Sequence, residues 1–124
     1  MKTLIISLCM ALPLMGVAQD LPSKNQRSNV EVFGNCSMCK SRIEKAALEV
    51  NGVKYANWNI QSGDLQLIYN SRKTHLDSVQ AAVAISGHDT RDYKAESAVY
   101  DELPMCCQYV RKGEKAKPGQ MTKH

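Results

Sequence analysis

Aromatic residues are scarce in this chain of 124 residues: one tryptophan, Trp58, one phenylalanine, Phe33, and an aromatic share of 6%. No basic stripe interleaved with aromatics is present, and the formal charge is only +4, so no nucleic-acid-binding surface is expected. The one long apolar run, Leu4 through Val17, falls short of the ~20 residues that span a bilayer, and no later segment qualifies. No internal repeat is found, which excludes a solenoid. Proline is missing between Pro22 and Pro104, and the length allows one compact domain.

What is present begins with an address. Lys2, the apolar run and the small-x-small pattern Gly16-Val17-Ala18 form a signal peptide over residues 1–18. Cleavage near Ala18 would release an exported chain, periplasmic or secreted, with no membrane span, and would lower the charge by Lys2 alone, to +3. Cys9 does not read as a lipidation site, because Ser7-Leu8 rather than small residues precede it. The mature chain then holds Cys36, Cys39, Cys106 and Cys107, each a possible half-cystine in an exported protein. Composition divides it into a flexible leader, 19–29, a folded body, 30–100, and a Cys-Cys segment with a disordered basic tail, 101–124.

Within the body, Val30, Val32 and Phe33 suggest a short strand. Cys39, Ile43, Ala46, Ala47 and Val50 recur at helical spacing, with Asn51-Gly52 as the stop. Ala56, Trp58 and Ile60, then Leu65, Leu67 and Tyr69, alternate about the turn Gln61-Ser62-Gly63-Asp64, which is a hairpin. Thr74 with Asp77 resembles a capping box, ahead of the stripe Leu76, Val79, Ala82, Val83 and Ile85 that ends at Gly87. A last strand is expected from Asp92 to Tyr100. The order is βαββαβ. It predicts an α+β, ferredoxin-like sandwich: a four-stranded antiparallel sheet with two helices on one face.

Gly34-Asn35-Cys36-Ser37-Met38-Cys39, followed by Ile43, Ala46-Ala47, Asn51-Gly52-Val53, a hairpin and Ile85-Ser86-Gly87-His88-Asp89, resembles the heavy-metal-associated domain family. That family includes copper chaperones, the metal-binding domains of P-type transport ATPases and the periplasmic mercury-binding protein. The resemblance covers about Val30 to Ala98. It departs where the family commonly has Met-Thr or Met-x before the first cysteine, and where many bacterial copper chaperones have Tyr at the position of His88.

The chemistry of Cys36 and Cys39 can be argued without the family. A CxxC step lets two sulfurs converge on one ion, and a helix start places them at the positive end of its dipole, with Lys40 and Arg42 nearby. Soft thiolates select Cu(I), Zn(II) and Hg(II) over hard cations. Zinc wants about four ligands. Two cysteines and at most His88 fall short of that, so Cu(I) is favoured. The rivals are a structural disulfide, a thiol-disulfide oxidoreductase and a mercury-binding transport component. A thioredoxin-like centre would need a proline facing the motif and an aromatic before Cys36, and neither is found. No catalysis is expected.

His88 is a possible third ligand on the same edge as the cysteines, or a solvated loop residue; His75, at the far end of its helix, reads as surface. Asp89 reads as a turn residue, although a carboxylate beside His88 would tilt the site toward zinc. Cys106 and Cys107 should lie tens of ångströms from Cys36, because the last strand runs away from that edge; they read as a second soft-metal site helped by Met105 or as thiols that exchange with a partner, or else as buried free thiols or a disulfide bridge to another chain, since neighbours can form only a strained vicinal disulfide. Met121 and His124 read as tail. Transient docking to a metal transporter or cuproprotein, through Lys40, Arg42 and Lys45, would complete a metallochaperone's task. The protein should be a monomer, with a metal-bridged dimer as the other option.

Overall fold

The computed structural model describes residues 24–120 and Gly16. The signal peptide, the start of the leader and the tail residues Met121 and His124 fall outside the described residues. In chain order come β1 (Asn25–Glu31), α1 (Ser37–Leu48), β2 (Val53–Trp58), β3 (Asp64–Asn70), α2 (Leu76–Ile85) and α3 (Ser97–Asp101), then a 3₁₀ turn at Met105–Cys107. The class is α+β. Among the described residues the sheet has three strands in the order β1-β3-β2, both pairings antiparallel, rather than the four expected.

The hairpin forms where the alternation placed it. Leu65, Leu67 and Tyr69 of β3 are buried on one face. The connection is tied by the Asn59 side chain, whose Oδ1 accepts the Gln61 and Ser62 N–H groups at 2.8 and 2.9 Å, an Asx turn. Ile60, expected on the strand, lies past its end at Trp58. β1 is longer than expected. All seven of its residues pair with β3, from Asn25 opposite Asn70 to Glu31 opposite Asp64, so residues 25–29 of the supposed leader are sheet. Its polar residues gave no signal because hydrophobic alternation reports burial, whereas pairing needs only backbone N–H and C=O groups.

The fourth strand is reduced to a stub. Phe33 donates to the Asp89 carbonyl and Arg91 to the Glu31 carbonyl, both at 2.9 Å, around the single bridge between Val32 and Thr90. The chain then leaves the sheet edge. Thr90 N–H donates to the Tyr93 carbonyl at 2.7 Å, closing a tight turn. The buried Gln80 amide holds Asp92 by accepting its N–H and donating to its carboxylate, at 3.2 and 2.9 Å. Residues expected to extend as a strand therefore wind into α3.

α2 starts at Leu76 with His75 as an exposed N-cap, and no side chain caps it, so the capping box read from Thr74 and Asp77 does not form. Ile85, assigned to its apolar stripe, is exposed. Gly87 ends the helix at φ +107°, a conformation that favours glycine, and Leu103 packs where its Cβ would be.

The core joins Val30, Val32, Ile43, Trp58, Leu65, Leu67, Val79 and Val83 to Tyr100, Leu103, Cys107 and Tyr109. Each large apolar side chain so buried contributes about 1.5–3 kcal/mol. The last three lie beyond the boundary expected at residue 100, and Arg111, expected to open a disordered tail, is buried as well. The folded unit therefore includes the segment after Tyr100. That segment carries no helical or strand period to announce it as an element.

Trp58 fixes the loop that leads into α1. Its indole N–H donates to the carbonyls of Val32 and Gly63 at 3.1 and 3.0 Å, and its ring lies against Gly34. A Cβ at Gly34 would come within 2.9 Å of the Trp58 ring and 3.1 Å of the Cys39 Cβ. Neither neighbour can yield, because both are fully buried. Gly34→Ala is accordingly expected to lower the unfolding free energy by about 1–3 kcal/mol in chemical denaturation.

Candidate metal-binding site

α1 begins at the motif. Cys36 is its N-cap residue, in extended conformation (φ −141°, ψ 177°), and its carbonyl accepts the Lys40 N–H at 3.0 Å. Cys39 lies in the first turn, fully buried, and its sulfur accepts the Asn35 N–H at 3.5 Å. The Cys36 and Cys39 sulfurs are 3.5 Å apart, with Cys36 partly exposed. All four described cysteines are free thiols.

Cys106 and Cys107 are not remote from this pair. The Cys107 sulfur lies 3.6 Å from that of Cys36, and Cys106 and Cys107 are 4.0 Å apart. The sulfurs of Cys36, Cys106 and Cys107 all lie within 4.8 Å of one another. The expected separation assumed a last strand running away from the motif. With that strand ended at Thr90, α3 and the 3₁₀ turn carry the chain back to the start of α1. Met38 joins the rim, its sulfur accepting from the Cys106 thiol at 3.5 Å. Two further thiols thus stand beside Cys36 and Cys39.

His88 takes a different position from the solvated loop that was one expectation. It is fully buried and stacked on Tyr109 with ring centroids 5.3 Å apart, and it is not part of the sulfur group. Nδ1 lies 2.8 Å from the Phe33 carbonyl, which can only accept, so Nδ1 carries the proton. Nε2 is buried without a hydrogen-bond partner. Burial lowers the His88 pKa to about 4 and the nearby Arg42 adds to this, against the opposing pull of the Phe33 carbonyl.

Three residues singled out for charge have other duties. Lys40 Nζ is held by Glu44, by Asn57 Oδ1 at 2.6 Å and by the Trp58 carbonyl at 2.8 Å, which leaves it little freedom to dock a partner. Arg42 is partly buried, with its guanidinium beside the Cys107 thiol and Nη1 lacking a hydrogen-bond partner. Lys45 alone is well exposed, 3.9 Å from Glu49.

The thiols differ in acidity. Burial raises the Cys36 pKa, but donation to its sulfur by the Cys39 N–H and by the Cys39, Cys107 and Cys106 thiols outweighs it, bringing the value down to about 7. Burial dominates at Cys39 and Cys107 and pushes both upward. One sulfur is thus ready as a thiolate at neutral pH, beside partners that ionise when a cation replaces their protons.

Asp89, expected as a turn residue, holds the cysteine-bearing segment down together with Arg111 and Tyr109, to which no role was assigned from sequence. Arg111 grips the Asp89 carboxylate through Nε at 3.0 Å and Nη2 at 2.7 Å, both residues buried. The Tyr109 hydroxyl accepts the Asp89 N–H at 2.7 Å and donates to the Gly87 carbonyl at 2.8 Å. The spacing of Tyr100, Leu103 and Tyr109 around the cysteines was the one hint that this stretch folds.

An α+β domain presenting a cluster of reduced cysteines at a helix start is the architecture of a soft-metal-binding module. No protein-family model matches the sequence. The copper chaperone CopZ of Staphylococcus aureus is 31% identical over 61 residues, 49% of this chain and 88% of CopZ. Among solved structures, a CopZ metallochaperone is 27% identical with a TM-score of 0.51, over 52% of this chain and 98% of that one. The water-soluble region of the P-type ATPase CopA from Bacillus subtilis is 27% identical with a TM-score of 0.51, over 56% of this chain and 47% of that one. The chain belongs to the heavy-metal-associated domain family.

Two pH effects follow from the shifted groups. A histidine depressed from 6.5 to about 4 leaves the unfolded chain binding more protons, so stability is complete above pH 6.5 and falls as the pH drops toward 4. Denaturation between pH 7 and pH 4 is expected to show a loss of about 2–3 kcal/mol, and His88→Phe is expected to flatten that slope. For the reduced protein, the alkylation rate of Cys36 is expected to reach half its maximum near pH 7, where an ordinary thiol needs about 8.5.

Proposed function

We propose that this protein is an exported, non-catalytic carrier of Cu(I), which it takes up at Cys36 and Cys39 and passes on by ligand exchange. The observation that carries the reading is the pair of reduced sulfurs 3.5 Å apart at the start of α1, one partly exposed and the other buried. An exposed first sulfur lets an incoming thiolate attack the bound ion, and a buried second one holds it until the transfer is complete. Soft thiolates match Cu(I), whose relatives' name, copper chaperone, is consistent with that cargo. Hg(II) and Zn(II) are competitors for the same sulfurs, and zinc is set lower because the four sulfurs do not all lie within 4.8 Å of one another.

Export rests on the sequence pattern of residues 1–18. A monomer that docks transiently on a metal transporter or cuproprotein fits this task, and likeness to a soluble region of a P-type ATPase supports that class of partner. Among the described residues no helix is long and apolar enough to cross a membrane.

Competition with a Cu(I) chelator under anaerobic conditions tests the proposal. Cys36→Ser and Cys39→Ser are each expected to lower the Cu(I) affinity by about a hundredfold or more, since each removes a direct ligand. Affinity unchanged in both variants would refute the assignment.

A further inference from the structure

Cys106 and Cys107 have no role in the two-cysteine reading, and the relatives do not supply one. The 61 residues matched in CopZ are fewer than the 71 positions between Cys36 and Cys107, so an unbroken match cannot hold both pairs. The fold nevertheless brings the second pair to the first.

We propose that Cys107 is a third thiolate ligand for the ion held by Cys36 and Cys39, with Cys106 on the outer side beside Met38; the proposal rests on the two-cysteine reading above. Distances support three sulfurs around one ion. With metal–sulfur bonds of about 2.3 Å, sulfurs about one ion lie roughly 3.8–4.0 Å apart in tetrahedral or trigonal arrangement but about 4.6 Å apart in a linear one. Cys36 lies 3.5 Å from Cys39 and 3.6 Å from Cys107, both closer to the tetrahedral or trigonal spacing than to the linear one. The Cys106 thiol instead turns its hydrogen toward the Met38 sulfur, 3.5 Å away. Of the two cysteines on the 3₁₀ turn, Cys107 is the fully buried one.

The surroundings suit the charge such a site would carry. Three thiolates and one Cu(I) sum to two negative charges, and the Arg42 guanidinium lies beside Cys107 with Nη1 unpaired by any oxygen. On binding, each S–H bond breaks as an S–Cu bond forms and its proton leaves to solvent; no oxidation state changes. Cys107 is also held in place before the ion arrives, by Tyr109 and Leu103 on either side of the turn. A ligand already immobilised loses little entropy on binding.

Copper X-ray absorption on the reduced full chain, loaded with one equivalent of Cu(I), tests this directly, alongside chelator competition. The wild type is expected to show three sulfur neighbours. Cys107→Ala is expected to show two, with affinity lower by about tenfold or more, while Cys106→Ala keeps three. Two sulfurs in the wild type, or the loss falling on Cys106→Ala instead, would overturn the proposal, as would four sulfurs. The wild-type count decides the matter even if Cys107→Ala fails to fold, which circular dichroism would reveal. Cys36→Ser separates the two levels: full affinity in that variant means the two-cysteine reading has failed, whereas its collapse together with a two-sulfur wild type means that only the role of Cys107 has failed.

Discussion

The buried ion pair between Asp89 and Arg111 is the constraint on which the arrangement of the thiols depends. Its two parallel contacts, 2.7 and 3.0 Å long, join the stub of the absent fourth strand to the far end of the carboxy-terminal segment. Asp89 Oδ1 also accepts the Ala95 N–H at 2.8 Å, and Arg111 lies over the Tyr100 ring, 4.9 Å from its centre. Removing one partner of such a buried pair strands the other charge, which costs about 3–5 kcal/mol. The pair therefore closes a loop whose interior holds α3, Leu103 and both late cysteines.

Aromatic packing completes the clasp. Tyr109 stacks on His88 and meets Tyr100 edge-on at 5.1 Å, while the Tyr100 hydroxyl donates to the Tyr109 carbonyl at 2.6 Å. His88 donates onward to Phe33, directly ahead of the loop that enters α1. Burial keeps this histidine neutral, which suits a ring packed between a tyrosine and a backbone carbonyl. The same residues thus connect the end of the folded chain to the loop that presents Cys36.

The division of labour among sulfurs follows from depth. Cys36, at the positive end of α1 and surrounded by donors, is the acidic and accessible thiol. Cys39 and Cys107 lie in the protein interior, where an unpaired negative charge is costly and the proton is retained. An arriving cation reverses that balance, since it supplies the opposite charge that burial otherwise denies.

Local pattern was enough to read the CxxC motif at the head of an amphipathic helix, the hairpin with Leu65, Leu67 and Tyr69 facing inward, and α2 closed by Gly87. Each of these depends on neighbours a few residues apart, where side-chain period and turn chemistry operate. The polar stretch Asn25–Asn29 of the first strand was not legible, because its pairing is made by backbone groups that all residues share. The fate of residues 89–111 was not legible either. It depends on Asp89 finding Arg111 and on Gln80 holding Asp92, contacts between side chains 22 and 12 positions apart. Sequence alone supplied two cysteine pairs and their local settings. Only the tertiary structure decided that they meet, because a segment with no period of its own is placed by the charge and surface it encounters.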